Sequence, residues 1–285
     1  MKNFLVVTNQ IKDPDKSRCR RVIKTLEDNG CICTASIYAA ERSSGKYLLA
    51  DPADVPENTQ AILVLGGDGT FLHAAKDLLE LNLPIVGIYF GTLGFLTEIK
   101  PDNFEQALRS IINGNYTIEN RMLLEGEIIK NGKTVYTDQA LNDIVLNRSS
   151  TSGLIHFDVN VNGGFLNSYS ADGMVVSTPT GSTGYNLSAG GPVVQPTAQI
   201  ILATPICAHA LNSRSIVFSA DIEISLIARA KAGAKELNTI VSFDGEKDIP
   251  LADGDIVKIK KAEQSVRLIK INDFSFIENI SKNMR

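Results

Sequence analysis

Short apolar runs alternate with amphipathic helical patterns over the first 112 residues of the chain. The predicted strands lie at residues 3–8, 31–38, 61–65 and 84–90, and the predicted helices at 15–28 and 102–112. Asn29-Gly30 follows the first helix, at the position where glycine commonly ends a helix. Strands that alternate with helices predict a parallel α/β sheet with ligand-binding loops at the ends of its strands.

The pattern changes near Asn113-Gly114-Asn115, after which short β-rich segments follow one another. Turns such as Asn131-Gly132 and Asp253-Gly254 separate them. The predicted strands lie at residues 121–130, 134–136, 144–147, 154–161, 173–177, 215–218, 222–228, 239–243 and 255–260. Many short strands without helices between them predict a second domain that is β-rich and layered or sandwich-like.

Two segments depart from this β pattern. Residues 178–192, TPTGSTGYNLSAGGP, are small, polar and rich in glycine, and residues 196–211 have helical potential. A long loop without regular structure inside a compact domain usually has a function. The apolar residues within 265–279 predict a tail that packs back on the N-terminal domain. We therefore predict an α/β domain over 1–115, a β-rich domain over 116–264 and a returning C-terminal segment over 265–285.

The turn after the third predicted strand, Gly66-Gly67-Asp68-Gly69-Thr70, leads directly into a helical pattern. Its glycines let the backbone approach a ligand and adopt angles that a Cβ would forbid, and N–H groups at a helix start bind anions such as phosphate. Asp68 would repel phosphate, so two interpretations stay open: a base that takes a proton from an attacking hydroxyl, or a residue that caps the helix. His73 could reach the same loop, although a histidine there is more often a helix-surface residue.

Three other polar stretches are candidates for ligand binding. Asn142-Asp143, at a strand start, could bind a ribose diol and an adenine edge, or could be a simple turn. Residues 178–192 offer hydroxyls, backbone amides and the flat face of Tyr185, and the alternative is a flexible linker. Asp172-Gly173 and Asp244-Gly245-Glu246 add acidic turns, each of which alone is typical of a β-turn.

Composition and missing motifs narrow the function classes. The chain of 285 residues is long enough for two domains, and its net charge of −4 gives no electrostatic signature of nucleic acid or anionic membrane binding. The apolar N-terminal stretch is too short for a signal peptide, and no apolar run reaches membrane-spanning length, which predicts a cytosolic protein. The nucleophile elbow, the Walker A motif and the dinucleotide-binding Gly-x-Gly-x-x-Gly motif are absent.

Cysteine spacing gives no strong metal signal. Cys31 and Cys33 would face one side of a strand, but no second cluster of cysteine or histidine completes a metal site. Cys19 and Cys207 stand apart from them. The four cysteines are therefore predicted to be free thiols, and no protein-held metal is predicted.

Taken in order along the chain, these motifs resemble the NAD kinase family of the prokaryotic type. The matching pieces are Gly66-Gly67-Asp68-Gly69-Thr70, Leu93-Gly94-Phe95-Leu96, Leu141-Asn142-Asp143, Asp172-Gly173, Thr178-Pro179-Thr180-Gly181-Ser182-Thr183-Gly184-Tyr185, Leu187-Ser188-Ala189-Gly190-Gly191-Pro192 and Asp244-Gly245. The glycine loop around Asp68 is also found in phosphofructokinases and lipid kinases, whereas the threonine-, serine- and glycine-rich stretch is highly specific. The similarity spans nearly the whole chain.

The resemblance implies a Rossmann-like N-terminal domain, a β-rich C-terminal domain with the NAD site between the two, and a homo-oligomer, either a dimer or a tetramer. It implies phosphorylation of the adenosine 2′-hydroxyl of NAD by ATP, with magnesium arriving on the nucleotide phosphates. Asp68 would be the general base, with Gly69 as its loop partner. The residues implied to contact the dinucleotide or the transferred phosphoryl group are His73, Asn142, Asp143, Asp172, Thr183, Gly184, Tyr185, Asn186, Leu187, Ser188, Cys207 and Asp244. Among them, Tyr185 would lie against the adenine, Cys207 would offer a backbone contact near the nicotinamide, and Asp244 would line the phosphoryl-transfer region.

The chain departs from the family pattern at four positions. Tyr89 stands where asparagine is usual, and Ser170 and Gly153 stand where arginine or histidine is often found. Glu246 replaces a usual glutamine, and its charge would weaken anion binding. Two alternative functions are kept: a related kinase that acts on a lipid or a sugar, and a non-enzymatic NAD or NADP sensor.

Overall fold

The structure is a computed structural model that describes residues 1–9, 13–38, 50–90, 94–149, 153–209, 213–230 and 238–271, together with 276, 280 and 281. The chain divides into two compact units. One unit is formed by Met1–Asn120 and Ser265–Arg285, and the other by Arg121–Gln264.

The first unit is a parallel sheet whose strands alternate with helices. Its elements are β1 (Asn3–Asn9), α1 (Ser17–Asp28), β2 (Ile32–Tyr38), β3 (Ala61–Leu65), α2 (Asp68–Asp77), β4 (Ile85–Ile88) and α3 (Phe104–Ile112). The strands lie in the order β2-β1-β3-β4, and each neighbouring pair is parallel. Phe4 and Val6 of β1 pack with α1 and α3 in one apolar cluster, whereas Leu5 and Val7 are buried on the opposite face. The predicted α/β architecture is confirmed.

The C-terminal segment contributes to this first unit. The end of the last strand runs parallel to β4, with Leu268 beside Ile85, and Val266 and Ile269 are buried. These are apolar residues of the predicted tail, and they pack in the N-terminal unit. The rest of the predicted tail, apart from 276, 280 and 281, lies outside the described residues.

The second unit consists of two layers of antiparallel strands. Its elements are β5 (Thr117–Lys130), which begins in the first unit, β6 (Lys133–Ala140), β7 (Asp143–Arg148), β8 (Ile155–Val161), β9 (Gly164–Ala171), β10 (Gly173–Ser177), the single helical turn α4 (Tyr185–Ser188), β11 (Ile200–Ile206), β12 (Ile216–Ser219), β13 (Ile224–Arg229), β14 (Thr239–Phe243), β15 (Ile249–Leu251) and β16 (Ile256–Lys270). One layer has the order β12-β11-β10-β7-β14-β15. In the other, β16, β13, β8 and β9 are neighbours, and the β5–β6 hairpin pairs with β16.

Both layers of the second unit share one apolar core. Ile144 and Leu146 of β7 belong to it, as do Phe157 of β8 and Leu226 of β13 from the other layer. A core enclosed between two antiparallel layers is the arrangement of a β-sandwich, which confirms the predicted β-rich, sandwich-like class.

Some sequence-based elements differ from the structure. The helical potential assigned to 196–211 is wrong over Ile200–Ile206, which forms β11. This run is short, apolar and rich in isoleucine, and periodicity alone does not separate such a run from a helix. Two strands were missed: β9, which lacks a clear apolar alternation, and the three-residue β15. The segment predicted as the strand 255–260 continues to Lys270.

Cysteine placement agrees with the prediction of free thiols. Cys19 and Cys31 are buried, Cys33 is half-buried and Cys207 is exposed. Burial raises the pKa of the Cys33 thiol to about 12. Among the described residues, no three His, Cys, Asp or Glu side chains come together in a way that could hold a metal ion. In the same part of the chain, no helix is both long enough and apolar enough to cross a membrane.

Candidate active site

The glycine loop joins β3 to α2 without left-handed backbone. Gly66, Gly67 and Gly69 all have φ outside that region. The prediction that these glycines adopt backbone angles that a Cβ would forbid is therefore wrong. Gly66 is needed for packing, because a Cβ there would lie 2.6 Å from the Cβ of Thr70. At Gly67 and Gly69, by contrast, no atom of the described residues lies within 4 Å of the Cβ position, apart from the chain neighbours and the backbone of the helix itself. These two positions leave the backbone accessible to a ligand.

Asp68 is the first residue of α2, but its side chain does not cap this helix. Gly67 occupies the cap position, and the Asp68 carboxylate accepts hydrogen bonds from the backbone N–H groups of Phe95 (2.7 Å) and Leu96 (3.1 Å). A Cβ at Gly94 would lie 1.9 Å from the nearer carboxylate oxygen, so only glycine fits beside it. The capping interpretation is therefore wrong, and a second loop holds Asp68 in place.

The surroundings of Asp68 act on its pKa in two directions. Burial raises the pKa of the carboxyl above its ordinary value, and the N–H groups of Phe95, Leu96 and Thr97 oppose that shift by stabilising the charged form. The net direction is upward. A carboxylate that stays hydrogen-bonded yet gains basicity is better suited to accept a proton than a solvated aspartate with a pKa of about 4.

The other sequence candidates of the first unit lie on α2. Gly69 is exposed in its first turn. His73 is half-buried and follows Asp68 by five residues, which places it about 140° further around the helix axis. The two side chains therefore leave the helix in different directions. Residues 91–93 of the second loop, including Leu93, lie outside the described residues.

In the second unit, the candidates gather on the face of the sheet opposite to the sandwich core. Because side chains alternate along a strand, Asp143, Val145 and Asn147 of β7 share this face. Val145 packs there with Val175 of β10 and Ile206 of β11, and Ala189 of the following loop covers them. The glycine-rich segment 178–192 therefore lies on this face of the sheet.

The glycine-rich segment is folded, so the linker interpretation is wrong. It contains a 3-10 turn, Gly181–Thr183, followed by α4. The Thr178 hydroxyl donates to the Leu141 carbonyl (2.6 Å) and accepts from the Gly181 N–H (3.0 Å). A Cβ at Gly181 would lie 2.1 Å from the Asn142 carbonyl oxygen. This close contact places the segment against the Asn142-Asp143 pair.

Asn186 holds the segment together from inside. Its amide nitrogen donates to the carbonyls of Ser182 (3.2 Å) and Pro192 (3.0 Å), and its amide oxygen accepts from the Thr204 hydroxyl (2.7 Å). The side chain is fully buried. Of the sequence candidates in this segment, Asn186 therefore directs its side chain into the fold rather than toward a ligand.

We expect Asn186→Ala to lower the free energy of unfolding by about 1–3 kcal/mol, because it removes the amide donor from the carbonyls of Ser182 and Pro192 and leaves the buried Thr204 hydroxyl with Ser215 alone. The shift of the urea midpoint measures this change. Ser188→Ala, in an exposed position of the same turn, is the matched control and should stay within about 0.5 kcal/mol. Equal midpoints for the two variants would contradict a structural role for Asn186.

Tyr185 lies near several of the other predicted ligand contacts. Tyr185 is 40% exposed, and Asn147, Cys207, Asp172 and Asp143 lie close enough to its hydroxyl to influence it. Burial, followed by the nearby Cys207 and Asp172, raises the pKa of the phenol. The structure thus brings together four residues that the sequence analysis had selected separately.

Asn147 is a site residue that the sequence analysis missed. Its amide oxygen accepts from the Arg148 N–H (2.8 Å), and its side chain lies near the Tyr185 hydroxyl, where it opposes the rise in the pKa of that phenol. The strand period could have found it, because Asn147 follows Asp143 by four residues in one strand and therefore lies on the same face of the sheet. Arg148 in turn pairs with the Asp172 carboxylate at 3.2 Å.

The other predicted contact residues occupy the surface of the same segment. The Thr183 hydroxyl donates to the Thr180 carbonyl (3.3 Å). Gly184 and Ser188 are exposed, and Leu187 is half-buried. Cys207, directly after β11, is exposed and has a left-handed φ of 46°.

Asp143 and Asp244 form a pair of neighbouring carboxyl groups. Asp143 is only 6% exposed, and burial, with the nearby Asp244 charge as a second cause, raises its pKa to about 7. The Asp244 carboxylate accepts hydrogen bonds from three consecutive backbone N–H groups, those of Leu141 (2.8 Å), Asn142 (2.7 Å) and Asp143 (3.1 Å). Its side chain is thus bound to the start of β7.

The structure shows what surrounds three of the residues that depart from the family pattern. Tyr89 is buried at the end of β4. The Ser170 hydroxyl lies 2.8 Å from Nδ1 of His156, so a histidine is present beside that position. Glu246 lies in the turn after β14, where its N–H donates to the Phe243 carbonyl (3.1 Å).

Comparison with known proteins decides the family. A family model described as the ATP-NAD kinase N-terminal domain matches residues 4–116, and one described as the ATP-NAD kinase C-terminal domain matches residues 141–271. The chain belongs to the NAD kinase family. It is 42% identical to an NAD kinase of Lachnospira eligens over the full length of both chains. It is 39% identical to an NAD kinase of Lachnoclostridium phytofermentans, with 97% of this chain and 96% of that protein covered.

Solved structures of NAD kinases are similar to this chain as well. The structure of an NAD kinase from Archaeoglobus fulgidus in complex with ATP has a TM-score of 0.73 and 26% identity, and the comparison covers 99% of this chain and 98% of the other. Yeast NADH kinase complexed with NADH has the same fold, with a TM-score of 0.87, 24% identity and coverage of 100% and 87%.

Proposed function

We propose that this chain transfers the γ-phosphoryl group of ATP to the 2′-hydroxyl of the adenosine ribose of NAD, which yields NADP and ADP. The observation that carries the proposal is the Asp68 carboxylate, which is hydrogen-bonded to the backbone of Phe95 and Leu96 and lies beside glycine positions with open space. Relatives that are themselves NAD kinases support it. They give no support to a kinase that acts on a lipid or a sugar.

Asp68 is the general base of this reaction. The ribose oxygen attacks the γ-phosphorus, the bond from that phosphorus to the bridging oxygen breaks, and ADP leaves with the electron pair. The proton of the 2′-hydroxyl passes to the Asp68 carboxylate. Phosphoryl transfer depends mainly on positioning, so a base whose own position is fixed by two backbone N–H groups suits the reaction. The accessible backbone at Gly67 and Gly69 supports a role of this loop in phosphate binding.

The second unit supplies the dinucleotide contacts. Tyr185, with a partly exposed ring, stacks on the adenine, and Asn142 and Asp143 bind the adenosine portion. Asp172, Thr183, Gly184, Leu187 and Ser188 line the same subsite. Cys207 offers its backbone to the nicotinamide end. Asn186 acts indirectly, by holding the segment that carries these groups.

Magnesium is proposed to enter with ATP. Mg²⁺ keeps several waters and is usually bound through substrate phosphates with one or two carboxylates, which supports a cation that arrives on the nucleotide. When bound, it neutralises phosphate charge. A homo-oligomeric state and a cytosolic location stay predictions from the sequence.

One assay tests the proposed function. The protein is incubated with NAD, ATP and magnesium, and NADP is measured with an NADP-specific dehydrogenase. We expect NADP to form at the same rate as ADP. Binding of NAD without NADP formation would favour the sensor alternative, and phosphorylation of a lipid or sugar in place of NAD would favour the other kinase.

We expect Tyr185→Ala to raise KM for NAD roughly 5- to 150-fold, because stacking of a base on an aromatic ring contributes about 1–3 kcal/mol. Tyr185→Phe is the matched control, since it keeps the ring and removes only the hydroxyl near Asn147. Its KM should stay within a few-fold of the unmodified protein. Steady-state kinetics at fixed ATP measures both values, and an equal loss in the two variants would mean that the hydroxyl rather than the ring binds NAD.

A further inference from the structure

The turn that follows β14 reaches back to the start of β7. Asp244 and Gly245 have φ angles of 51° and 70°, and the Glu246 N–H closes the turn on the Phe243 carbonyl (3.1 Å). The Asp244 N–H donates to the Asp143 carbonyl (2.9 Å), which aligns the turn with β7. Aspartate tolerates this left-handed backbone better than most residues, so the turn can direct a carboxylate at its neighbour strand.

Three N–H groups in succession converge on that carboxylate. They belong to Leu141, Asn142 and Asp143, at 2.8, 2.7 and 3.1 Å. Consecutive N–H groups that point to one side form an anion site, and here the anion is a side chain of the protein itself. Hydrogen bonds to a charged acceptor are stronger than those between neutral groups. The carboxylate thus fixes the backbone of the pair that is proposed to bind adenosine.

The same short stretch is also held from its other side. The Thr178 N–H donates to the Asn142 carbonyl (2.9 Å), and the Thr178 hydroxyl donates to the Leu141 carbonyl (2.6 Å). The N–H groups of the stretch are bound to Asp244, and two of its carbonyls are bound to Thr178. The backbone of the stretch is therefore fixed from both sides, which in turn fixes where the side chains of Asn142 and Asp143 begin.

We propose that Asp244 is a positioning residue for NAD, which acts by fixing the backbone of Asn142 and Asp143 rather than by lining the phosphoryl-transfer region. The inference rests on the proposed function, because it assigns this stretch to NAD binding. The carboxylate already accepts three backbone hydrogen bonds, and its negative charge would repel the transferred phosphoryl group. Asp244 therefore acts through its neighbours.

A second consequence concerns the charge of Asp143. Its carboxyl is buried, and the groups that face it are the Asp244 carboxylate from the β14 turn and the Tyr185 phenol from α4. Its pKa is raised to about 7, so the charged form predominates above neutral pH and is lost below it. A charged carboxylate accepts a stronger hydrogen bond from a donor group of the ligand than a neutral carboxyl does. NAD binding should therefore weaken as the pH falls through 7.

The test replaces Asp244 with asparagine and measures KM for NAD, KM for ATP and kcat between pH 6 and 8.5. We expect KM for NAD to rise roughly tenfold, with KM for ATP and kcat within a few-fold of the unmodified protein. The pH at which NAD binding weakens should move to a lower value, because removing the neighbouring negative charge lowers the pKa of Asp143. This shift reports that the two carboxyl groups are close together, whereas a rise in KM for NAD with unchanged KM for ATP and kcat reports the positioning role, because a general loss of structure would change all three constants.

Asp253→Asn is the matched control. Asp253 also precedes a left-handed glycine, Gly254, and its carboxylate also accepts a backbone N–H, that of Ala230 at 2.8 Å. Its replacement should leave KM for NAD and the pH profile unchanged. Asp244→Ser, which also removes the charge and shortens the side chain, serves as a second variant if Asp244→Asn does not fold, and it should raise KM for NAD at least as much and move the pH profile in the same direction.

Two results would overturn the inference. An unchanged KM for NAD in folded Asp244 variants would show that the three hydrogen bonds do not position the NAD site. A loss of kcat with unchanged KM for NAD would assign Asp244 to the phosphoryl-transfer step. If the unmodified protein makes no NADP, the proposed function fails, and calorimetric titration of NAD into the same variants still decides the role of Asp244.

Discussion

Asp68→Asn is expected to lower kcat roughly 10²- to 10⁴-fold, the usual contribution of a general base. KM for NAD and for ATP should stay within a few-fold, because asparagine has the same size and Asp68 is not proposed to bind either substrate in its ground state. Burial raises the pKa of Asp68, and the base is active only in its charged form, above that pKa. As the pH is lowered, kcat of the unmodified protein should therefore begin to fall at a higher pH than it would with a solvent-exposed aspartate as the base. Coupled detection of NADP measures all of these.

Asp28→Asn is the control for Asp68→Asn. Asp28 ends α1 in the same unit and is exposed, so removing its charge should not change kcat. Circular dichroism checks that Asp68→Asn is folded, since the N–H groups of Phe95 and Leu96 lose a charged partner. Undiminished turnover in a folded Asp68→Asn would show that the proton goes to another group.

Gly94→Ala is expected to reduce kcat roughly 10²-fold although Gly94 is not one of the proposed substrate contacts, because misplacing a catalytic group by about 1 Å can cost that much. The new Cβ would lie 1.9 Å from a carboxylate oxygen of Asp68, so the side chain or the loop must move. Gly164→Ala is the control, because its Cβ would lie at an ordinary 3.4 Å from the Val161 carbonyl and its backbone is not left-handed. Its turnover should be unchanged.

A double variant tests whether Gly94→Ala acts through Asp68. If Gly94→Ala acts by displacing Asp68, combining it with Asp68→Asn should cost little more than Asp68→Asn alone. Stopped-assay rates for the two single variants and the double variant give the coupling directly. Fully multiplicative losses would mean that Gly94 contributes through something other than Asp68.

Periodicity was sufficient to predict the two fold classes. The strand β3 and the strands β10 and β14 have the predicted bounds, because each is a compact apolar or alternating run that ends at a turn. The pattern failed at β11, where an apolar run of seven residues fits a strand and a helix equally well. It failed at β9 because five consecutive residues of that strand are exposed.

The site was predictable where side chains carry the chemistry and unpredictable where the backbone does. Tyr185, Asp143, Asp172 and Cys207 could be selected one by one from the sequence, and the structure brings them together. The partners of Asp68 are N–H groups 27 and 28 residues away, which leave no trace in residue type. The contacts of Asp244 with the backbone of Leu141 and Asn142 span about a hundred residues, and they too cannot be read from residue types.

The way in which Asp68 is held has a consequence for how the chain tolerates mutation. Every amino acid except proline carries a backbone N–H, so positions 95 and 96 can change their side chains without depriving the base of its two donors. Leu96 is then constrained only by its burial, and Phe95 less so. Gly94 has no such freedom, because the carboxylate occupies the space of a Cβ. In a library of single substitutions, we therefore expect position 94 to tolerate fewer amino acids than positions 95 and 96, although Gly94 makes no hydrogen bond to Asp68.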